Sequence, residues 1–359
     1  MLIFRPRNIK KEKIYIQLMK LVKAAIIICA SVFLNSAFAQ ERGIPVYQDY
    51  LTDNLYLIHP SMAGASSQNK VRLTGRQQWF DVDNPPSLQT LSVNGRMSDQ
   101  VGVGGILFND SNGNFTQQGM YLTFAYHLMF SRSTADLNML SFGASVGLVQ
   151  NGLDESSLIG IGQPSDPIIS GANQSTTNFN FDFGFSYFYL DFFAHGTIKN
   201  IVPQENTIFT ELFEVNNQRQ YLLTTGYNFN RVGSDFSFEP SVMYQRREAT
   251  NENNIDVNGK VYYELQSGNM VWGGLSYRRS FDGAEFINAS GQSITSQRLS
   301  TISPFIGMNY GQFMFAYMYT NAALQEITLA SSGFHQITIG YNFGESRKRY
   351  KCNCPAVNF

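Results

Sequence analysis

The stretch from Asn178 to Tyr189, NFNFDFGFSYFY, leaves few folds open. In an extended strand successive side chains point to opposite faces. Phe179, Phe181, Phe183, Phe185, Tyr187 and Tyr189 therefore share one face, and Asn178, Asn180, Asp182, Gly184 and Ser186 share the other. A soluble sandwich seldom needs so many bulky aromatics on one side of one strand. Hydrocarbon outside and an aqueous lumen inside match the alternation. Aromatic residues make up 14% of the chain, with 29 Phe and 19 Tyr against 2 Trp, and they pack well on pleated surfaces, which favours an all-β membrane protein over a helical one.

The N-terminus reads as a targeting segment. Lys20 and Lys23 precede an apolar core from Ala24 to Leu34, and Ala37-Phe38-Ala39 supplies a small-x-small cleavage pattern, so residues 1–39 are expected to be a signal peptide cut before Gln40. Cys29 follows Ile28, where a lipid-anchor site needs a small residue, so no lipid anchor is expected. After this segment no run reaches the ~18 apolar residues of a spanning helix. An exported chain with lipid-type strand faces points to an outer membrane. Cleavage removes seven Lys or Arg and one Glu, leaving 19 basic and 26 acidic residues, and this acidic balance argues against a nucleic-acid partner.

Residues 40–68 lack strand alternation and read as a short periplasmic or plug segment with a helical turn around Asp49 to Leu57. From there to Phe343 (residues 69–343) segments of period two follow one another, and about fourteen strands are expected, in a transmembrane antiparallel β-barrel with both ends of the chain on the periplasmic side. The connections alternate in length. Those at Ser98–Gln100, Ser131–Leu137, Leu190, Arg231–Ser234, Gln266–Asn269 and Asn309–Gly311 are short. Those at Asn151–Thr176, Ile201–Arg219, Arg247–Asp256, Asp282–Gln297 and Asn321–Ser332 are long, and only the first, Asp83–Pro86, breaks the rule. Short periplasmic turns and long outer loops are the barrel pattern. The expected periplasmic strand ends carry an aromatic girdle, including Tyr126, Phe130, Tyr189, Phe236, Phe313 and Tyr341. Residues 344–359 form a basic periplasmic tail, in which Cys352 and Cys354 suit a strained disulfide, a weak metal site or pairing with another protein.

Catalytic chemistry finds no foothold. His59, His127, His195 and His335 show no spacing that singles out a Ser-His-acid set, and no metal, phosphate-cradling or calcium motif is present, so neither a cofactor nor a metal is expected. The oxygen-rich run Asn109 to Asn114 reads as a turn. On the first strand the lumen-side Arg72, Arg76 and Gln78 suit either a threaded segment or pairing with carboxylates such as Glu239 and Glu264.

These residues also carry a resemblance. Tyr47-Gln48-Asp49-Tyr50, then Asn54 to Gly64 (NLYLIHPSMAG), then Arg76-Gln77-Gln78-Trp79 leading to Pro85-Pro86, is similar to the PorP/SprF family of the Bacteroidota type IX secretion system. The Gly104-Gly105 to Asn109-Asp110 strand and the Tyr126-His127 strand strengthen the match, and His59 replaces the family's usual Asn before Pro60. The resemblance implies an outer-membrane barrel that assists export or surface anchoring of a secreted adhesin or other cargo with a C-terminal sorting domain, in contact with periplasmic machinery. The candidate partner contacts are then Gln48, Asn54, His59, Pro60, Gly64, Arg76, Gln77, Gln78 and Trp79, with Cys352 and Cys354 in the tail. A transport channel for small hydrophobic or polar solutes is the alternative, and its barrel would carry the same alternation.

Overall fold

The computed structural model describes residues 48–344 apart from 79–84, 132–136, 157–172, 204–207, 209–218, 232, 249, 267, 288–292 and 323–332. Three short 3-10 turns come first: η1 (Gln48–Leu51), η2 (Leu55–Leu57) and η3 (Pro60–Met62). Fourteen antiparallel strands follow among the described residues. They are β1 (Asn69–Gln78), β2 (Ser87–Arg96), β3 (Val101–Asn112), β4 (Phe115–Met129), β5 (Asn138–Asp154), β6 (Asn173–Tyr189) and β7 (Phe192–Lys199), then β8 (Gln220–Tyr227, resuming at Phe229–Asn230). The series ends with β9 (Phe236–Arg247), β10 (Asn253–Glu264), β11 (Met270–Ile287), β12 (Ser293–Tyr310), β13 (Phe313–Ala322) and β14 (Phe334–Phe343).

Each strand pairs with its sequence neighbours, and β1 pairs with both β2 and β14, so the sheet closes into a barrel. Closure lets the wall's N–H and C=O groups pair between strands with no open edge, which is what a wall facing lipid requires. The pairing Asn69↔Phe343 puts the start of β1 and the end of β14 at the end of the barrel that carries the short turns. One of those turns is so tight that Leu190 takes a left-handed φ of 54°.

The alternation governs the wall. Phe179, Phe183, Phe185 and Tyr189 point outward and are exposed, while Asn180, Asp182 and Ser186 are buried inside. At the short-turn end the aromatic girdle is anchored by hydroxyls, with Tyr126 donating to Gln100 at 2.8 Å and Tyr341 to Gln312 at 2.9 Å. Inside the same end Met139, Phe188, Phe193, Met270 and Met314 are buried and give the lumen an apolar floor.

Four expectations need correction. The lumen is not aqueous at the level of η1–η3: Arg72, Thr74, Asn180 and Ser186 are at most 2% exposed, because the N-terminal segment fills the space they face. The rule of alternating connections also fails a second time. The β3–β4 connection on the outer side is only Gly113–Asn114, because the ladder runs on to Asn112↔Phe115 and Gly113 accepts the φ of 58° that this hairpin requires. The turn expected over Asn109 to Asn114 is therefore mostly strand. Both ends of the expected loop at Asn151–Thr176 and most of that at Asp282–Gln297 are ladder too, since β5 and β6 pair up to Asp154↔Asn173 and β11 and β12 up to Ile287↔Ser293.

Candidate functional site

The segment from Gln48 to Ser66 lies within the barrel, tied to the wall by polar bonds in nearly every direction. At its upper end Asp49 lies 3.9 Å from Arg76 of β1. The Tyr50 hydroxyl donates to Asp256 of β10 at 3.0 Å, and the same carboxylate takes a two-point contact from Arg278 at 2.6 and 2.8 Å. Lys260 of β10 donates to the Leu51 carbonyl at 3.3 Å and sits 4.0 Å over the Trp272 ring, an aromatic face that helps replace its lost water. Thr52 bonds Thr338 of β14 at 3.1 Å.

Asp53 is the charge centre. It accepts from Arg72 at 2.7 Å and from Lys70 at 3.0 Å, and Arg72 also donates to Asn342 of β14 at 2.8 Å. Burial pushes its carboxyl up, but the cations of Lys70, Arg72 and Lys260 and the Arg72 hydrogen bond outweigh this and hold it at about 2. Arg72 and Arg76 thus meet carboxylates of the N-terminal segment, not Glu239 or Glu264. The Glu239 carboxylate accepts from Tyr262 at 3.4 Å, and Glu264 is exposed at the rim. Carboxylates carried into the lumen lie closer to β1 than those on distant strands.

Lower in the barrel the segment turns toward the opposite wall. Asn54 donates to Ser92 of β2 at 3.1 Å, and Tyr56 donates to Thr123 of β4 at 2.7 Å. His59 is fully buried, with Nδ1 2.8 Å from Thr197 of β7 and Nε2 3.0 Å from Thr224 of β8. Burial, with His195 and Lys199 nearby, keeps its imidazole well below the usual histidine range and neutral. Pro60 starts η3 and rests on Gly143 of β5, where a Cβ would collide with the Pro60 backbone. Ser61 meets Ser186 of β6 at 2.6 Å. The Ala63 carbonyl can only accept, so His127 donates to it from Nε2 at 3.0 Å and takes the Ser141 proton on Nδ1 at 2.7 Å. Gly64 has a φ of 67°, donates to Asn94 at 3.2 Å and lends its carbonyl to Arg96 at 2.8 Å, which leads the chain out to β1.

The sequence candidates therefore separate. Asn54, His59, Pro60 and Gly64 form part of this plug with polar groups or backbones facing the barrel wall, and Arg76 meets the plug from the wall side. Gln48 opens η1. Gln77 and Gln78 lie at the outer end of β1, opposite Ser87 and the Pro86 carbonyl, and take no part in the plug. Trp79, Cys352 and Cys354 fall outside the described residues, as do the expected signal peptide (residues 1–39) and residues 345–359 of the expected tail. Sequence reasoning did not single out Asp49, Asp53, Thr197, Thr224 or Ser186. The available signal was two carboxylates in a segment entering a lumen that carries Lys70, Arg72 and Arg76.

Among the described residues no group of three or more His, Cys, Asp or Glu could hold a metal ion. The fold and its filled lumen define an outer-membrane-type β-barrel with an internal N-terminal plug. The model of the type IX secretion system membrane protein family PorP/SprF matches residues 39–341, and the chain belongs to that family. The family and the barrel together place it in the outer membrane. No curated protein matches the chain. Similar solved structures include the CymD monoaromatic hydrocarbon channel, at 10% identity, TM-score 0.49, and coverage of 87% of this chain and 96% of that one. Others are a Pseudomonas aeruginosa FadL homologue, at 10% identity, TM-score 0.44 and coverage of 77% and 91%, and the P. putida toluene transporter TodX, at 10% identity, TM-score 0.43 and coverage of 81% and 95%.

Proposed function

We propose that this barrel assists the type IX system by exporting, or holding at the cell surface, a partner adhesin or cargo protein with a C-terminal sorting domain, and that it does so without conducting solutes. Family membership supports the secretion role. The observation that carries the second half is the plug. One short segment bonds to β1, β2, β4, β6, β7, β8, β10 and β14 and sits on an apolar floor, so a solute would have to break many buried polar contacts to pass. With the lumen filled, the outer loops and the periplasmic tail are the surfaces left for cargo and machinery.

The experiment has two arms. In cells lacking the gene, the cognate adhesin is still made but is no longer reached by protease added outside; normal display would rule the role out. In planar bilayers the purified barrel is electrically silent. Steady single-channel conductance from the unmodified protein would favour the solute-channel reading instead.

A further inference from the structure

The lipid-facing wall carries a second feature, on the side made by β2 to β6. Gln89, Asn109, Gln118, Gln150 and Thr177 lie directly opposite one another on successive strands, through the pairs Gln89↔Asn109, Asn109↔Gln118, Gln118↔Gln150 and Gln150↔Thr177. All five point outward, because their neighbours Leu88, Phe108, Gln117, Val149 and Asn178 are buried inside. None of the five makes a side-chain hydrogen bond among the described residues. They line an open cleft of about 580 Å³ together with Leu107, Met120 and Leu148, which occupy the next outward row toward the membrane and are 53%, 42% and 51% exposed.

The height of the cleft is set by strand geometry. Gln118 stands twelve positions along β4 from Phe130 of the periplasmic girdle. At ~3.3 Å per residue and a tilt near 40°, that is about 30 Å of vertical rise, past the outer edge of a ~25 Å apolar band. The row spans about 19 Å across five strands. Because the strands tilt, the row is itself inclined: Gln89 and Asn109 stand only eight positions from Met97 and Val101, about 20 Å of rise. The row of donors and acceptors, four of its members carboxamides, climbs from within the apolar band to the outer headgroup level at Gln118, Gln150 and Thr177, with aliphatic side chains beneath. No Lys or Arg lines it, so it offers a phosphate no counter-charge, whereas carboxamides match sugar hydroxyls and amide-linked acyl groups in both polarities.

We infer that this cleft binds one glycolipid of the outer leaflet, the saccharide headgroup on the amide row and an acyl chain along Leu107, Met120 and Leu148. The site is independent of the plug and of the secretion role.

The test is lipid retention. The protein is purified from its native outer membrane in mild detergent, washed extensively, and its bound lipid quantified by mass spectrometry. The wild type and the girdle control Phe313→Ala are expected to keep about one glycolipid per barrel. Asn109→Leu/Gln118→Leu is expected to keep about tenfold less, the loss of two hydrogen-bonding groups, while its unheated gel mobility stays that of a closed barrel. Should the double variant fail to close, Gln150→Ala alone is expected to lower retention. No retained glycolipid in the wild type, phospholipid in its place, a second copy or another protein covering the row, or undiminished retention in the variants would each overturn the inference.

Discussion

At the scale of single residues, Asp53 and His59 hold the plug by opposite means, a charge kept and a charge refused. Asp53→Asn leaves Lys70 and Arg72 buried without their carboxylate, and a loss of about 3–5 kcal/mol is expected, read as a lower unfolding midpoint in detergent. The pH dependence follows from the two shifts. A folded pKa held down to about 2 means that Asp53 contributes fully above the ordinary carboxylate value of ~4, and that this contribution is lost as pH falls through about 2. His59 is also shifted down, so the unfolded chain takes up a proton that the folded one does not. Its share is complete above ~6.5 and declines as pH drops below that value. Between pH 8 and pH 5 the wild-type unfolding midpoint should therefore fall. His59→Asn is expected to lessen that slope; an unchanged slope would show that other groups carry it.

At the scale of elements, the plug and the wall meet where the wall is bare. Gly143 lies against Pro60, and no room exists there for a side chain. Gly143→Leu is expected to leave a closed barrel whose plug is displaced, and to turn the silent barrel into a conducting one in planar bilayers. Gly75→Ala, on the outer face with no atom within 4 Å of the added carbon, should conduct no more than the wild type and be at least as stable, by up to about 1 kcal/mol. The same scale explains what sequence reading reached. The fourteen strands were legible because lipid on one side and packed polar groups on the other force a period of two. Beyond the hydrocarbon both faces are polar, as at Gln174, Ser175 and Thr176, so the alternation vanishes while the ladder continues. Periodicity therefore marks these strands short of their true ends. The plug's location was half-legible. Its lack of alternation set it apart, but pairings such as His59 with Thr197 and Thr224 join residues more than a hundred positions apart and leave no local trace.

At the scale of the whole molecule, stability rests on a seam between the first strand and the last. Deleting residues 334–343 removes the partner of β1 along its full length and opens two edges in lipid. The product should fail to show heat-modifiable gel migration and should be degraded in cells, whereas a chain ending at Gly344 should still close; loss of closure in the latter would assign the tail a structural role.

The reach of β5 and β6 beyond the amide row has a mechanical corollary. From Gln150 to Asp154 and from Thr177 back to Asn173 the two strands stay zipped for four more residues, about 13 Å at strand rise. What stands above the bilayer there is a stiff rib, so a macromolecule that settles on this side of the barrel from outside meets paired backbone before it touches the lipid beside it.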